Sequence, residues 1–362
     1  MLVHLPPPYI GPAVINRMTL ESEFLGQRFS FEPVSVNTST DLREIGGTSV
    51  PKVFMFFSIV GRVLQRLLQR KYALVYMSLT PTGIGFYKDC LLVLLVKLFG
   101  VKRVYHLHGK GIARYQDGFH RFLYRWCFRK SSVILISEKF FEEIRTYVPR
   151  KDVSILPNSV AVTRDQAYVQ NLIRQRRQHT RLSLLFLSNM VRSKGVFVAL
   201  EAAQRLKQKG HAFFFYFAGD WCDITPQEFS DTVERLSLQK EVIHKGFLPF
   251  SEKEKLWEEA DIFVFPTYND IFGIVNLEAM HYALPVVSTY EGAIPEIIDD
   301  GVTGFLVPPR DPRALAEKLE VLMNDAALRE RLGEAGRRKV EQQYTFNIFE
   351  QKLSKILQNN IA

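Results

Sequence analysis

Residues 261–289 read DIFVFPTYNDIFGIVNLEAMHYALPVVST. The opening DIFVFPT is a short, nearly unbroken apolar run, which predicts a strand buried on both faces rather than one with a wet side. Tyr268-Asn269-Asp270 is a polar loop, and a helix is expected from near Gly273. At residues 285–289 the chain returns to an apolar run, PVVST. Strand, helix and strand in so few residues form the crossover unit of a parallel sheet.

The same alternation extends in both directions. Residues 182–189 (LSLLFLSN) and 211–219 (HAFFFYFAG) predict strands, with a helix over 196–209 between them. Thr225-Pro226-Gln227-Glu228 is a capping box with Pro at the first helical position, Ser251-Glu252-Lys253-Glu254 predicts a second box, and Asp311-Pro312 opens a further helix. In the first half, residues 2–5, 73–78, 103–107 and 132–137 read as strands. The glutamine- and arginine-rich stretch 163–181 reads as a helical or irregular connector. The expected fold class is α/β, with two Rossmann-like, doubly wound parallel-sheet domains facing across a cleft: 1–165, a connector at 166–181, and 182–340, with 341–362 a helix crossing back to the first domain. In such sheets ligands bind at the carboxyl ends of the strands.

The bulk numbers agree with two soluble domains. The chain has 362 residues, of which 47% are hydrophobic. Its cysteines, Cys90, Cys127 and Cys222, show no CxxC spacing, which argues for a reducing compartment and against a zinc or disulfide framework. No signal peptide is legible at MLVHLPPPYIG, and the most apolar run, 90–100, is interrupted by Lys97 and is far short of a membrane span. The formal charge is +9, and residues 1–164 hold 23 Lys/Arg against 11 Asp/Glu. That asymmetry points to a polyanionic partner or to a solubilising surface.

Asp270 and Glu278 sit where chemistry is expected. Gly273 lets the backbone approach a ligand, and the amides of Gly273, Ile274 and Val275 at a helix start can hold phosphate or hydroxyl oxygens. A carboxylate can accept hydrogen bonds from two sugar hydroxyls at once. By spacing alone, Asp270 can equally be a helix cap and Glu278 an exposed helix residue. Lys194 before a helix start is unfavourable to the helix dipole unless an anion lies there too. His108, at a strand end in HLHGKG (106–111), reads as functional beside Gly109 and Gly111, with His106 two residues back on the same strand face.

The stretch D-IFGIVNL-E followed by AMHYALPVVST resembles the E-x7-E signature of retaining glycosyltransferases of family 4, which have the GT-B fold. Residues 291–319 (EGAIPEIIDDGVTGFLVPPRDPRALAEKL), 185–196 (LFLSNMVRSKGV) and 156–160 (LPNSV) resemble further segments of that family, and HLHGKG and HLPPPYIGP (4–12) occupy the places of its first-domain loops. The resemblance implies roles. Glu278 would hold the ribose of a nucleotide-sugar and Asp270 would face the donor sugar. Phe272, Gly273, Ile274 and Val275 would line the sugar and diphosphate, and Lys194 would neutralise the departing diphosphate. His108 would contact the donor sugar, the Gly11 loop would approach the phosphate and acceptor, and Asp220 and Trp221 would lie on the base side. Three departures stand out: Asp270 in place of Glu, Asn189 in place of the usual Arg with Arg192 as a substitute charge, and Ala283-Leu284 where a Gly is usual.

Arg62, Arg66 and Arg70, and likewise Arg121, Arg125 and Arg129, recur every fourth residue on amphipathic helices, a pattern suited to an anionic leaflet or to a solvated core-facing helix. No GxGxxG, Walker A loop or strand-end Asp-x-Asp is present, which turns the reading away from a dinucleotide dehydrogenase and a metal-dependent transferase. No nucleic-acid recognition motif is present either. The resemblance therefore implies a metal-independent, cofactor-free enzyme. It would transfer a sugar from a UDP- or GDP-sugar to a glycan or lipid-linked acceptor of a bacterial surface, in the cytoplasm at the inner face of the plasma membrane. The alternatives are a sugar-nucleotide epimerase of the same fold and a non-catalytic nucleotide-sugar-binding scaffold.

Overall fold

The computed structural model describes residues 1–8, 11–39 and 49–361. Tyr9 and Ile10 of the HLPPPYIGP loop lie outside the described residues. The chain divides into two compact units, Met1–Asn158 with Asn347–Ala362, and Ser159–Phe346.

The first unit is built on a six-stranded sheet in the order β2-β1-β3-β4-β5-β6. Its strands are β1 (Leu2–Val3), β2 (Val34–Ser35), β3 (Leu74–Leu79), β4 (Lys102–Leu107), β5 (Ser132–Leu135) and β6 (Val153–Ile155). The second unit has β7 (Leu182–Leu187), β8 (Phe213–Ala218), β9 (Val242–His244), β10 (Ile262–Phe265), β11 (Val286–Thr289) and β12 (Gly304–Val307), in the order β12-β11-β10-β7-β8-β9. Every strand pairing in both sheets is parallel.

The apolar runs explain the strand positions. All residues of β10, β11 and β12 are buried, as a sheet covered on both faces requires. Phe186, Phe213, Phe215, Phe217, Phe263 and Phe265 are fully buried, and each contributes about 1.5–3 kcal/mol over an exposed side chain. The order of the second sheet carries its functional meaning. From β7 the chain winds one way to β8 and β9, then crosses back to β10 and winds the other way. The loops after β7 and β10 therefore diverge to opposite faces and leave a crevice at their carboxyl ends.

Several expectations need correction. The unit boundary falls after Asn158, ahead of the expected 165. Residues 166–181 are not a connector. They contain the Gln166–Arg176 helix, capped by Asp165, whose Val169, Leu172 and Ile173 are buried, so this segment belongs to the second unit. The Thr225 and Asp311 caps form, each side chain accepting from the amide three residues on. The Ser251 box does not. The Phe250–Glu259 helix starts after Pro249, which places Ser251 inside the first turn. In the first unit, Arg66 and Arg70 both bind Glu32, so the basic stripe of the Val50–Gln69 helix is turned partly to a carboxylate. The Phe346–Ile361 helix docks on the first sheet, where Asn360 accepts a hydrogen bond from Ser132 and Ile361 O accepts one from Lys102.

Candidate functional site

The crevice between β7 and β10 brings Lys194 and Asp270 together. After β7 the chain makes a single turn of 3-10 helix, Arg192–Lys194, before the Val196–Gln208 helix. That turn is tied to the loop after β10: Ser193 O accepts from the Tyr268 amide at 2.8 Å and from Thr267 Oγ1 at 3.0 Å. Lys194 Nζ lies 2.6 Å from Asp270 Oδ2. Both side chains are partly exposed, so the ion pair by itself adds about 1 kcal/mol or less.

Asp270 is more than an ion-pair partner. Its Oδ1 accepts from the amides of Ile271, Phe272 and Gly273 at 2.7, 3.0 and 2.8 Å. The Gly273 amide is therefore not free for a ligand, contrary to expectation, because the carboxylate of the same loop occupies it. The Ile274–His281 helix starts one residue later, so the amides of Ile274 and Val275 have no intrahelical acceptor. Gly273 has φ 71°, and a Cβ there would meet Asn276 Nδ2 at 2.7 Å, which leaves no room for a side chain. Phe272 is buried beneath this turn and meets Tyr344 edge-on.

Glu278 lies one helical turn from Ile274 and on the same face. Its two oxygens take Lys253 Nζ at 3.0 and 2.9 Å. Lys253 has no motif of its own. In sequence it stands inside the Ser251–Glu254 capping-box pattern, and only the packing of the Phe250–Glu259 helix brings it to Glu278. The arrangement sets two ammoniums, Lys194 and Lys253, against two carboxylates, Asp270 and Glu278, beside two helix-start amides, a group suited to an anion and a pair of hydroxyls.

At the ends of β7, β8 and β9 a second group assembles. Asn189 Oδ1 accepts from the Asp220 amide at 3.3 Å, and Asp220 Oδ1 accepts from the Trp221 amide at 2.8 Å. The Trp221 ring lies 4.1 Å from that of His244. Burial holds the His244 imidazole below its ordinary range. Gly219 makes this junction possible: with φ 151°, a Cβ would stand 1.9 Å from Ser188 O. Arg192, expected to stand in for the arginine missing at Asn189, is paired within the second unit. Its guanidinium binds Glu228 of the Pro226–Arg235 helix at 2.5 Å, because the turn that carries it is fixed by Asp223 at its amide.

In the first unit His108 follows β4. Its ring lies 3.9 Å from that of His106, which is hydrogen-bonded to Tyr76. Among the described residues no hydrogen-bond partner meets either ring nitrogen of His108. Burial, with His4 nearby, pushes its pKa down to about 3, and His106 is also held well below the usual range. His108 is thus a neutral imidazole whose polar atoms lack protein partners. Glu143 ties down the same loop through the amides of Gly111 and Ile112, a contact no motif announced. Gly11 is the first residue of the Gly11–Glu21 helix, and among the described residues nothing lies within 4 Å of where a Cβ would stand.

Comparison with known proteins decides the class of the second unit: residues 170–339 match the family described as glycosyl transferases, group 1. The match to that family lies within the second unit. Among curated relatives, the amylovoran biosynthesis glycosyltransferase AmsK of Erwinia amylovora is 34% identical over 50% of this chain and 45% of its own. The capsular polysaccharide biosynthesis glycosyltransferase CapM of Staphylococcus aureus is 30% identical over 46% of this chain and 43% of its own. The chain spans less than half the length of the curated relatives it matches first. Among solved structures, a glycosyltransferase from Rickettsia africae has a TM-score of 0.78 at 18% identity, covering 99% of this chain and 98% of that one. Anabaena HepE in complex with UDP has a TM-score of 0.71 at 19% identity, covering 83% and 82%. The fold of the chain is therefore the GT-B class expected from its sequence, α/β with two parallel sheets.

Proposed function

We propose that the protein is a retaining glycosyltransferase that moves a sugar from a UDP- or GDP-sugar to a hydroxyl of a bacterial surface-glycan acceptor, polymeric or lipid-linked. The observation that carries the reading is the Lys194–Asp270 pair beside the start of the helix that bears Glu278. The names of the relatives support it, since they refer to amylovoran and capsular polysaccharide biosynthesis, as does a neighbour of the same fold solved with UDP and with UDP-glucose.

In this reading Glu278 accepts the two ribose hydroxyls, with Lys253 orienting its carboxylate. The amides of Ile274 and Val275 and the ammonium of Lys194 face the diphosphate, so the positive charge needed by the leaving group comes from the protein and no metal is required. Asp270 acts as a positioning residue. Its two oxygens already hold Lys194 and the Ile271–Gly273 amides, so it places the charge and does not itself grip the sugar. Asn189, Asp220 and Trp221 face the base. His108, neutral and lacking protein partners at its nitrogens, is suited to hydrogen-bond a sugar hydroxyl. The bond from the anomeric carbon to the phosphate oxygen breaks while the bond to the acceptor oxygen forms on the same face. The departing phosphate oxygen takes the acceptor proton. The enzyme works in the cytoplasm against an anionic membrane surface that its basic first half approaches.

Calorimetric titration of UDP, GDP and ADP without metal, on wild type and Glu278→Ala, tests the donor site. Binding of one nucleotide, weakened more than about tenfold in the variant, is expected for the loss of a charged acceptor of two hydrogen bonds. Equal binding by both proteins, or none by folded wild type, refutes the assignment.

A further inference from the structure

The first unit exposes an apolar face that its core does not use. The Val50–Gln69 helix buries one stripe, Ile59, Val63 and Leu67. It also exposes Val50, Val53, Phe54 and Phe57, which are spaced i, i+3, i+4, i+7 and so form a second stripe, continued by Leu64 and Leu68. Phe54 is 72% exposed. The neighbouring Gly83–Leu98 helix does the same with Ile84, Tyr87, Leu94 and Leu98, again at helical spacing. On the Gly118–Phe128 helix, Phe119 and Phe122 are exposed by more than half. A helix apolar on two sides belongs in a core or against another apolar phase.

These three helices share one side of the sheet. They connect β2 to β3, β3 to β4 and β4 to β5, each step moving the same way across the sheet, and right-handed crossovers then put all of them on one face. Consecutive helices of the set pack on each other. The exposed charge carried by the three helices themselves is of one sign, with the Asp117 cap and Glu32 the acids that flank them. The Val50–Gln69 and Gly118–Phe128 helices contain no Asp or Glu, and the single acid of the Gly83–Leu98 helix, Asp89, is buried. Arg62, Arg121 and Arg125 are exposed along it.

We propose that this face of the first unit seats on an anionic lipid bilayer, with Phe54, Phe57, Phe119 and Phe122 entering the headgroup boundary and the arginines meeting lipid phosphates. The proposal deepens the membrane part of the proposed function and rests on it, independently of the donor site. Among the described residues no helix is long and apolar enough to cross a membrane, so the contact is interfacial. The contact differs from the one the arginine spacing predicts. Arg66 and Arg70 are held by Glu32, and apolar side chains, not the arginine row, form the outward stripe. A second copy of the chain fits less well, because pairing this face with itself sets cations against cations.

Vesicle flotation of the full chain tests this, with phosphatidylcholine alone and with added phosphatidylglycerol. Wild type is expected to float with the anionic vesicles, less so at high salt. The Phe54→Glu/Phe57→Glu variant is expected to lose about tenfold or more in partitioning, and Arg121→Glu/Arg125→Glu to lose binding on anionic vesicles. The substituted side chains are exposed, and an unchanged thermal transition shows that the fold is intact. Calorimetric nucleotide binding by the Phe variant, read without lipid, reports the donor site separately, so failure of either reading is visible by itself. Wild type that stays with the lipid-free fraction on both vesicles overturns the proposal. So does a lipid-free dimer that Phe54→Glu/Phe57→Glu dissolves, which assigns the face to a second copy.

Discussion

Replacing Asp270 separates its two structural jobs. In Asp270→Ala the amides of Ile271, Phe272 and Gly273 lose a shared charged acceptor, and Lys194 loses its partner. A hydrogen bond to a charged group contributes about 1.5–3 kcal/mol, so plain addition over the amides gives roughly 4.5–9 kcal/mol. That sum is too high. The bonds share one oxygen and are not additive, and the Asp270 side chain is 16% exposed, so water can enter the vacated site. A loss of about 3 kcal/mol is expected. Asp270→Asn keeps one oxygen for the amides but turns an NH2 toward the Lys194 ammonium, and about half that loss is expected. Urea unfolding followed by tryptophan fluorescence measures both. Trp221 and Trp257 lie in the second unit, so the signal reports mainly the unit that carries the change. An alanine variant within about 0.5 kcal/mol of wild type, or an asparagine variant less stable than the alanine one, refutes the capping argument.

Two further outcomes follow from the same geometry. Gly219→Ala puts a Cβ 1.9 Å from Ser188 O at a backbone φ of 151°, so a loss of about 3 kcal/mol or more, or failure to fold, is expected, and a thermal transition matching wild type would disprove the close approach. Acid should weaken the first unit through His106 and His108, whose folded pKa values are depressed by burial, to about 3 for His108. Their stabilisation is complete above the unfolded value near 6.5 and is lost as pH falls through 6.5 toward the folded value, about 1 kcal/mol for His108 at pH 5.5. Thermal unfolding at pH 7.5 and 5.5 should show a smaller drop for His108→Asn than for wild type, and equal drops would contradict the burial argument.

The architecture is legible in the order of residues alone. Runs such as DIFVFPT and HAFFFYFAG are too apolar for a strand with a wet face, and their alternation with helix-period segments leaves parallel sheets as the way to bury them. Local cap chemistry was legible too: Thr225 and Asp311 cap their helices because the donor lies only three residues away. Long-range partners were not. Lys253 meets Glu278 across 25 residues, Arg192 turns to Glu228, and Glu32 takes two arginines of the stripe that suggested a lipid surface. Periodicity says which side chains share a helix face, but not which face the core takes. On the Val50–Gln69 helix both stripes are apolar, and packing alone buried Ile59, Val63 and Leu67 while leaving Phe54 and Phe57 outside. At the candidate site the sequence placed Asp270 and Lys194 on loops after two strands, and the sheet order made those loops neighbours. Side-chain pairing there follows from the reversal of winding at β7 and β10, a property of strand order in space that no local stretch of residues encodes.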